Sequence, residues 1–201
     1  GFLALSNVAA AANGFAVKHQ VTIATTTAYN TAYTVYMIPQ SMIVTSVVTA
    51  LFTSMSAMVA VGQISKLRKQ FLTTQQGVSL ITVLCSALIV VLALPIMQVI
   101  MPTTPSASVI TFAQVLAVMA LGIPFLGAFN LSQRLLLAFA DARSTFLVQI
   151  PMTICTLVAC GLTVLLLPAK YWVMGAAAGE QLSYVFGVQL TLRRLHTQHL
   201  P

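Results

Sequence analysis

From residue 19 to residue 65 the chain carries no charged side chain. A stretch of that length cannot clothe a water-soluble domain, because charged residues are what keep such a surface in water. The remainder is no different. Of 201 residues, 59% are hydrophobic and 5% charged, where soluble domains carry about 25% charge. Mean hydropathy is +0.97, so the solvent this chain meets is mostly lipid. Disorder is excluded on the same ground, since disordered chains are polar and charged. A disulfide scaffold is excluded too, because Cys85, Cys155 and Cys160 all lie inside apolar runs.

Crossing a hydrocarbon core of about 30 Å takes about 20 apolar residues in a helix. Six stretches qualify, the first of them short: 1–17, 35–61, 78–100, 109–129, 146–167 and 172–192. A transmembrane barrel would instead alternate apolar with polar residues in runs of about 10, and nothing here alternates. The expected fold is an all-α, polytopic membrane bundle of six helices in one unit spanning residues 1–201. The chain opens at Gly1 inside an apolar run, without an initiator Met or a basic region typical of a signal peptide, and reads as a fragment of a longer protein.

Orientation follows from the basic residues. Lys66, Arg68 and Lys69 lie between the second and third spans, Arg134 and Arg143 between the fourth and fifth, and Arg193 and Arg194 after the sixth. These share one side, whereas the other has Lys18 and Lys170. The positive-inside rule therefore puts both ends of the chain in the cytoplasm. Anchoring topology and attracting anionic lipid account for these clusters, and nucleic-acid binding has no support.

The segment "TIATTTAYNTAYT" before the second span is too polar to face lipid and should be covered by protein or wet. Pro39 and Pro124 should kink the second and fourth spans, and Pro95 and Pro151 also fall within or near the bilayer. Short outer loops make spans three and four, and five and six, antiparallel neighbours.

Catalysis at membrane depth has no residues to work with. His19, His196 and His199 fall in loops or the tail, and no HExxH or GxSxG pattern occurs. His196 and His199 have no third ligand nearby and read as a solvated tail; neither an enzyme nor a resident metal is expected. Glu180 is the one formal charge inside a span. Eight residues past Trp172, it sits about 12 Å into the last helix, where an acid must be neutral, paired or facing water. It is a functional candidate with a structural alternative, a hydrogen bond to a neighbouring helix. Gly175 and Gly179 beside it have the spacing that lets another helix approach closely. Asp141 precedes Arg143, Ser144 and Thr145 at the start of the fifth span. It reads either as a helix cap or as a cation ligand or partner of Arg134.

Three segments, "AYNTAYTVYMIPQSMIVTSVVTALFTSMSAMVAVGQ", "RLLLAFADARSTF" and "GEQLSYVFGVQLTLRRL", resemble the MviN/MurJ lipid II flippases, in particular their actinobacterial branch. Order and spacing match the family's second six-helix lobe. The turn carrying Asp141 and Arg143 resembles the family's Asp-Thr-Arg-Thr-Pro, with Phe146 in place of the Pro. The resemblance implies a member of the multidrug/oligosaccharidyl-lipid/polysaccharide exporter superfamily in a bacterial plasma membrane. Two lobes around a central cavity would pass undecaprenyl-pyrophosphate-linked peptidoglycan precursor outward by alternating access. Its partners would be that precursor, membrane lipids and an N-terminal lobe of the same protein. Tyr33, Thr34 and Met37 stand where many relatives carry an Asp-Arg pair and an acid. In some relatives a sodium ion lies between the seventh and eleventh helices of the full protein, and Asp141 is the one residue carried over to it.

A pyrophosphate head group needs a polar, wet cavity. Glu180 and the second span's Gln40, Ser41, Thr45 and Thr49 are candidates to line it, with Arg134, Asp141 and Arg143 as a candidate cation site or cytoplasmic gate. Ser41, Thr45 and Thr49 share a helical face, which serves equally as a helix contact. No organic cofactor is expected; a coupling cation, sodium or proton, is left open. The alternatives to a precursor flippase are a drug/cation or polysaccharide exporter of the same superfamily and a non-transporting scaffold for cell-wall proteins.

Overall fold

The computed structural model of the protein describes residues 26–102, 104–168 and 171–198, with positions 7, 10 and 11 besides. The first span, 1–17, lies outside the described residues apart from those isolated positions, as do Lys18, His19, Lys170 and His199. Seven α-helices make up the described chain: α1 (Thr26–Pro39), α2 (Thr45–Ala60), α3 (Ile64–Ile100), α4 (Ser106–Ala120), α5 (Ile123–Ala138), α6 (Ala142–Leu166) and α7 (Trp172–Gln198). Among the described residues there is no strand. Four helical stretches are long and apolar enough to cross a membrane: Tyr29–Ala60, Ile64–Ile100, Ser108–Ala138 and Arg143–Leu166. The all-helical polytopic bundle expected from composition is what forms. At 27 residues α7 is also long enough for a crossing, about 40 Å, but it is more polar and lies against α6, α5 and α4.

Pro39 and Pro124 each disturb the regular helix, by two different devices, whereas α3 and α6 run unbroken through Pro95 and Pro151. Pro39 has no N–H to offer the carbonyl of Val35. The backbone widens there into a π-helical turn, Gln40–Val44, closed by Thr45 N–H on Gln40 O. Pro124 does more than kink its span. The helix stops at Ala120, turns through Leu121 and Gly122, and restarts with Pro124 in the first turn of α5. Ala120 O would have accepted from residue 124; Ser86 of α3 donates its hydroxyl to it instead, at 2.7 Å.

The turns after α2 and α5 share one geometry. Gly62 (φ 72°) and Ala140 (φ 55°) are both left-handed. In each turn the following amide reaches back five residues, Gln63 N–H to Met58 O and Asp141 N–H to Leu136 O, the Schellman closure of a helix end. Lys66, Arg68 and Lys69 consequently lie on the first turns of α3, not in a loop, and His196 lies within α7.

Packing gathers the basic residues at one end. Leu67, Leu135, Leu136 and Leu195 belong to one buried cluster with Val48, Met55 and Phe71. Their chain neighbours Lys66, Arg68, Arg134 and Arg194 therefore lie around the same end of the bundle. A second cluster, around Tyr29, Met97, Phe112, Leu116 and Val173, fills the other half. Outside, α3 leaves Leu80, Leu84, Leu88 and Val91 exposed as one stripe, a surface suited to acyl chains. Lipid gives apolar helices little reason to associate, so close packing must hold them. On α7, a Cβ at Gly179 would overlap Ala159 of α6, and one at Gly175 would overlap Thr163, which fulfils the packing expected of that glycine pair.

Candidate functional site

Two polar sites lie inside the bundle, and adjacent residues of α7 build them. Gln181 turns toward the break between α4 and α5. Its Oε1 accepts from Tyr36 Oη of α1 at 3.3 Å, and its side chain occupies the space a Cβ on Gly122 would need. Gly122 is thus fixed by a close approach: the broken helix leaves a notch and an amide fills it. With Ser86 on Ala120 O, this junction joins α1, α3, α4 and α7 through polar contacts.

Glu180 turns toward α6. It is 5% exposed, and Tyr184 Oη donates to its Oε1 at 3.5 Å. Its Oε2 is buried with no hydrogen-bond partner among the described residues. A pocket of about 50 Å³ lies there, lined by Gln149, Met152, Thr153 and Thr156 of α6 and Glu180, Ser183 and Tyr184 of α7. The lining hydroxyls have committed their protons to their own helices. Thr153 donates to Gln149 O at 2.9 Å, Thr156 to Met152 O at 3.0 Å and Ser183 to Glu180 O at 2.7 Å. Gln149 Oε1 meets Gln133 Nε2 of α5 at 3.5 Å.

The sequence's candidates are dispersed. Ser41, Thr45 and Thr49 are all exposed, whereas Gln40, one residue and about 100° around the helix from Ser41, is buried. Ser41 donates to Ile38 O at 3.1 Å and Thr45 to Gln40 O at 3.3 Å. None of the four lines the Glu180 pocket, so the structure does not unite Glu180 with the second-span row. Asp141 caps α6: its Oδ1 accepts from Ser144 N–H at 2.9 Å, and its carbonyl accepts from Thr145 Oγ1 at 3.1 Å. The capping expected of it is present. Arg134 on α5 and Arg143 on α6 are exposed on either side of that turn.

Sequence reasoning passed over the partners of Glu180. Gln149, Thr153 and Thr156 recur at spacings of four and three, so they share a helical face. That polar stripe in an otherwise apolar helix was the available signal. Among the described residues no group of three His, Cys, Asp or Glu side chains gathers as a metal site.

An integral membrane helix bundle, with polar groups held at helix junctions inside it, is the class these features define. A family model described as lipid II flippase MurJ matches residues 4–200, and the chain belongs to that family. No curated protein and no solved structure matches the chain.

Proposed function

We propose that this chain forms one lobe of a bacterial flippase that carries undecaprenyl-pyrophosphate-linked peptidoglycan precursor, lipid II, outward across the plasma membrane. The family match over residues 4–200 carries this reading. The protein acts as a transporter and not as an enzyme. The basic end of the bundle faces the cytoplasm, by the excess of Lys and Arg gathered there. The exposed Ser41, Thr45 and Thr49 flank the bend after Pro39 and line the polar path of the head group, completed by a second lobe. Alternating access rocks one lobe against the other.

Two assays test this. Full-length protein should rescue growth of a bacterium depleted of its own flippase, and should move fluorescent lipid II across liposome membranes. Residues 1–201 alone should move none, lacking a partner to rock against. Failure of the full-length protein in both assays overturns the substrate assignment. Translocation by residues 1–201 at the full-length rate overturns the single-lobe reading.

A further inference from the structure

We infer that an exposed polar row along α1 and α2 binds the uncharged amino-sugar part of the head group and not its pyrophosphate. The inference rests on the precursor reading above and narrows which part of that molecule this lobe touches. Asn30, Thr34, Ser41, Thr45, Thr49 and Thr53 are all exposed. They recur at intervals of about one or two helical turns through the π-helical turn, which keeps them along one side. Asn30 to Thr53 covers about 35 Å of helix, enough to cross the hydrocarbon core of about 30 Å.

This face differs from the lipid-facing surface elsewhere. Along Tyr29–Ala60 the large apolar side chains exposed among the described residues are Ile38 and Met42. By contrast α3 exposes Leu80, Leu84, Leu88 and Val91, and α6 exposes Ile150, Ile154, Leu157 and Leu165. A polar row at membrane depth in a transporter lobe belongs where substrate passes between lobes.

Chemistry selects the occupant. No charged side chain occurs from residue 19 to residue 65, so the row has no cation. Pyrophosphate brings negative charge and acceptor oxygens, and its strong partners are Arg, Lys and gathered N–H donors. Thr34, Ser41, Thr45 and Thr53 instead donate their hydroxyl hydrogens to carbonyls of their own helix, at 2.9, 3.1, 3.3 and 3.2 Å, and so offer lone pairs. The Asn30 amide and the Thr49 hydroxyl add donors. A neutral surface rich in acceptors, with a few donors, complements sugar hydroxyls and acetamido N–H groups. It complements neither phosphate nor the carboxylates of a peptide, so the pyrophosphate is held by groups off this row.

Full-length protein purified in detergent tests this, with two probes competing against fluorescent lipid II. One is the undecaprenyl-pyrophosphate disaccharide without its peptide, and the other is undecaprenyl pyrophosphate without sugar. Wild type should bind the disaccharide lipid at least tenfold more tightly than the sugar-free lipid. The double variant Thr49→Val with Thr53→Val removes two hydroxyls at nearly constant volume from exposed positions, and should cut that ratio at least fivefold. Where it does not fold, Thr34→Val decides, with a fall of several-fold expected. An unchanged ratio in the folded variant overturns the inference, because a row that serves only as a helix contact would weaken both lipids alike. Equal affinity of wild type for the two lipids overturns it as well. Binding of neither lipid by wild type overturns the precursor reading itself, and the inference with it.

Discussion

Glu180 and Gln181 are neighbours on one helix, yet their surroundings have opposite logic. Gln181 fills the notch beside Gly122 and accepts from Tyr36 through Oε1, so it knits helices together, although its Nε2 is buried with no partner among the described residues. Glu180 faces a small pocket against α6 whose hydroxyls donate to carbonyls of their own helices, and its Oε2 has no partner among the described residues. One step along a helix turns a side chain by about 100°, which is enough to move from the break between α4 and α5 to the face of α6. Burial of a polar residue in a membrane protein is thus no measure of its role; the direction of the surrounding hydrogen bonds is.

The α6–α7 interface beside the Glu180 pocket should be the most sensitive. Gly179→Leu drives a branched side chain into Ala159 of α6, and a cost of about 3 kcal/mol or more is expected. Size-exclusion profiles should show loss of monodisperse protein, and a well-behaved variant would mean that α6 and α7 do not pack as described. Ser86→Ala comes next, since it strands the Ala120 carbonyl at the helix break. About 1–3 kcal/mol should be lost, read as a lower melting temperature in detergent; no change would show that water or another group serves that carbonyl.

Tyr36→Phe removes only the bond to Gln181, and about 0.5–1.5 kcal/mol should go with it. Because the junction is structural, lipid translocation by the folded variant should persist; a folded but inactive protein would blur the contrast between the two sites. Glu180→Gln should have the smallest effect on stability, within about 0.5 kcal/mol of wild type, because Oε2 has no partner to lose among the described residues. A large loss of stability would make Glu180 a structural residue like its neighbour.

Much of this architecture was legible before any coordinates. The missing charge named lipid as the solvent, and run lengths named helices, because the hydrocarbon core tolerates no unpaired backbone. Asp141 followed by Ser144 announced a cap, and Gly175 with Gly179 announced a close helix contact; both signals act within one or two helical turns, so sequence spacing suffices to read them. The basic residues announced a shared end, and the leucine cluster around Leu67, Leu135 and Leu195 brings their neighbours together there.

Local signals also misled where a neighbour decided the outcome. Pro124 marked a disturbance, but whether a helix bends or breaks depends on who takes the freed carbonyl, and Ser86 lies 34 residues away from Ala120. Ser41, Thr45 and Thr49 share an exposed face as their spacing implies, but Gln40, a candidate for the same cavity, is buried against the bundle. By itself the sequence determined the solvent, the helices and the basic end, since these depend on composition and on spacing along one helix. Only the tertiary structure decided that Glu180 meets the hydroxyl stripe of α6 and Gln181 the notch at Gly122. Which face of a neighbouring helix a side chain meets is fixed by helix packing across the bundle, and a one-dimensional pattern carries no record of it.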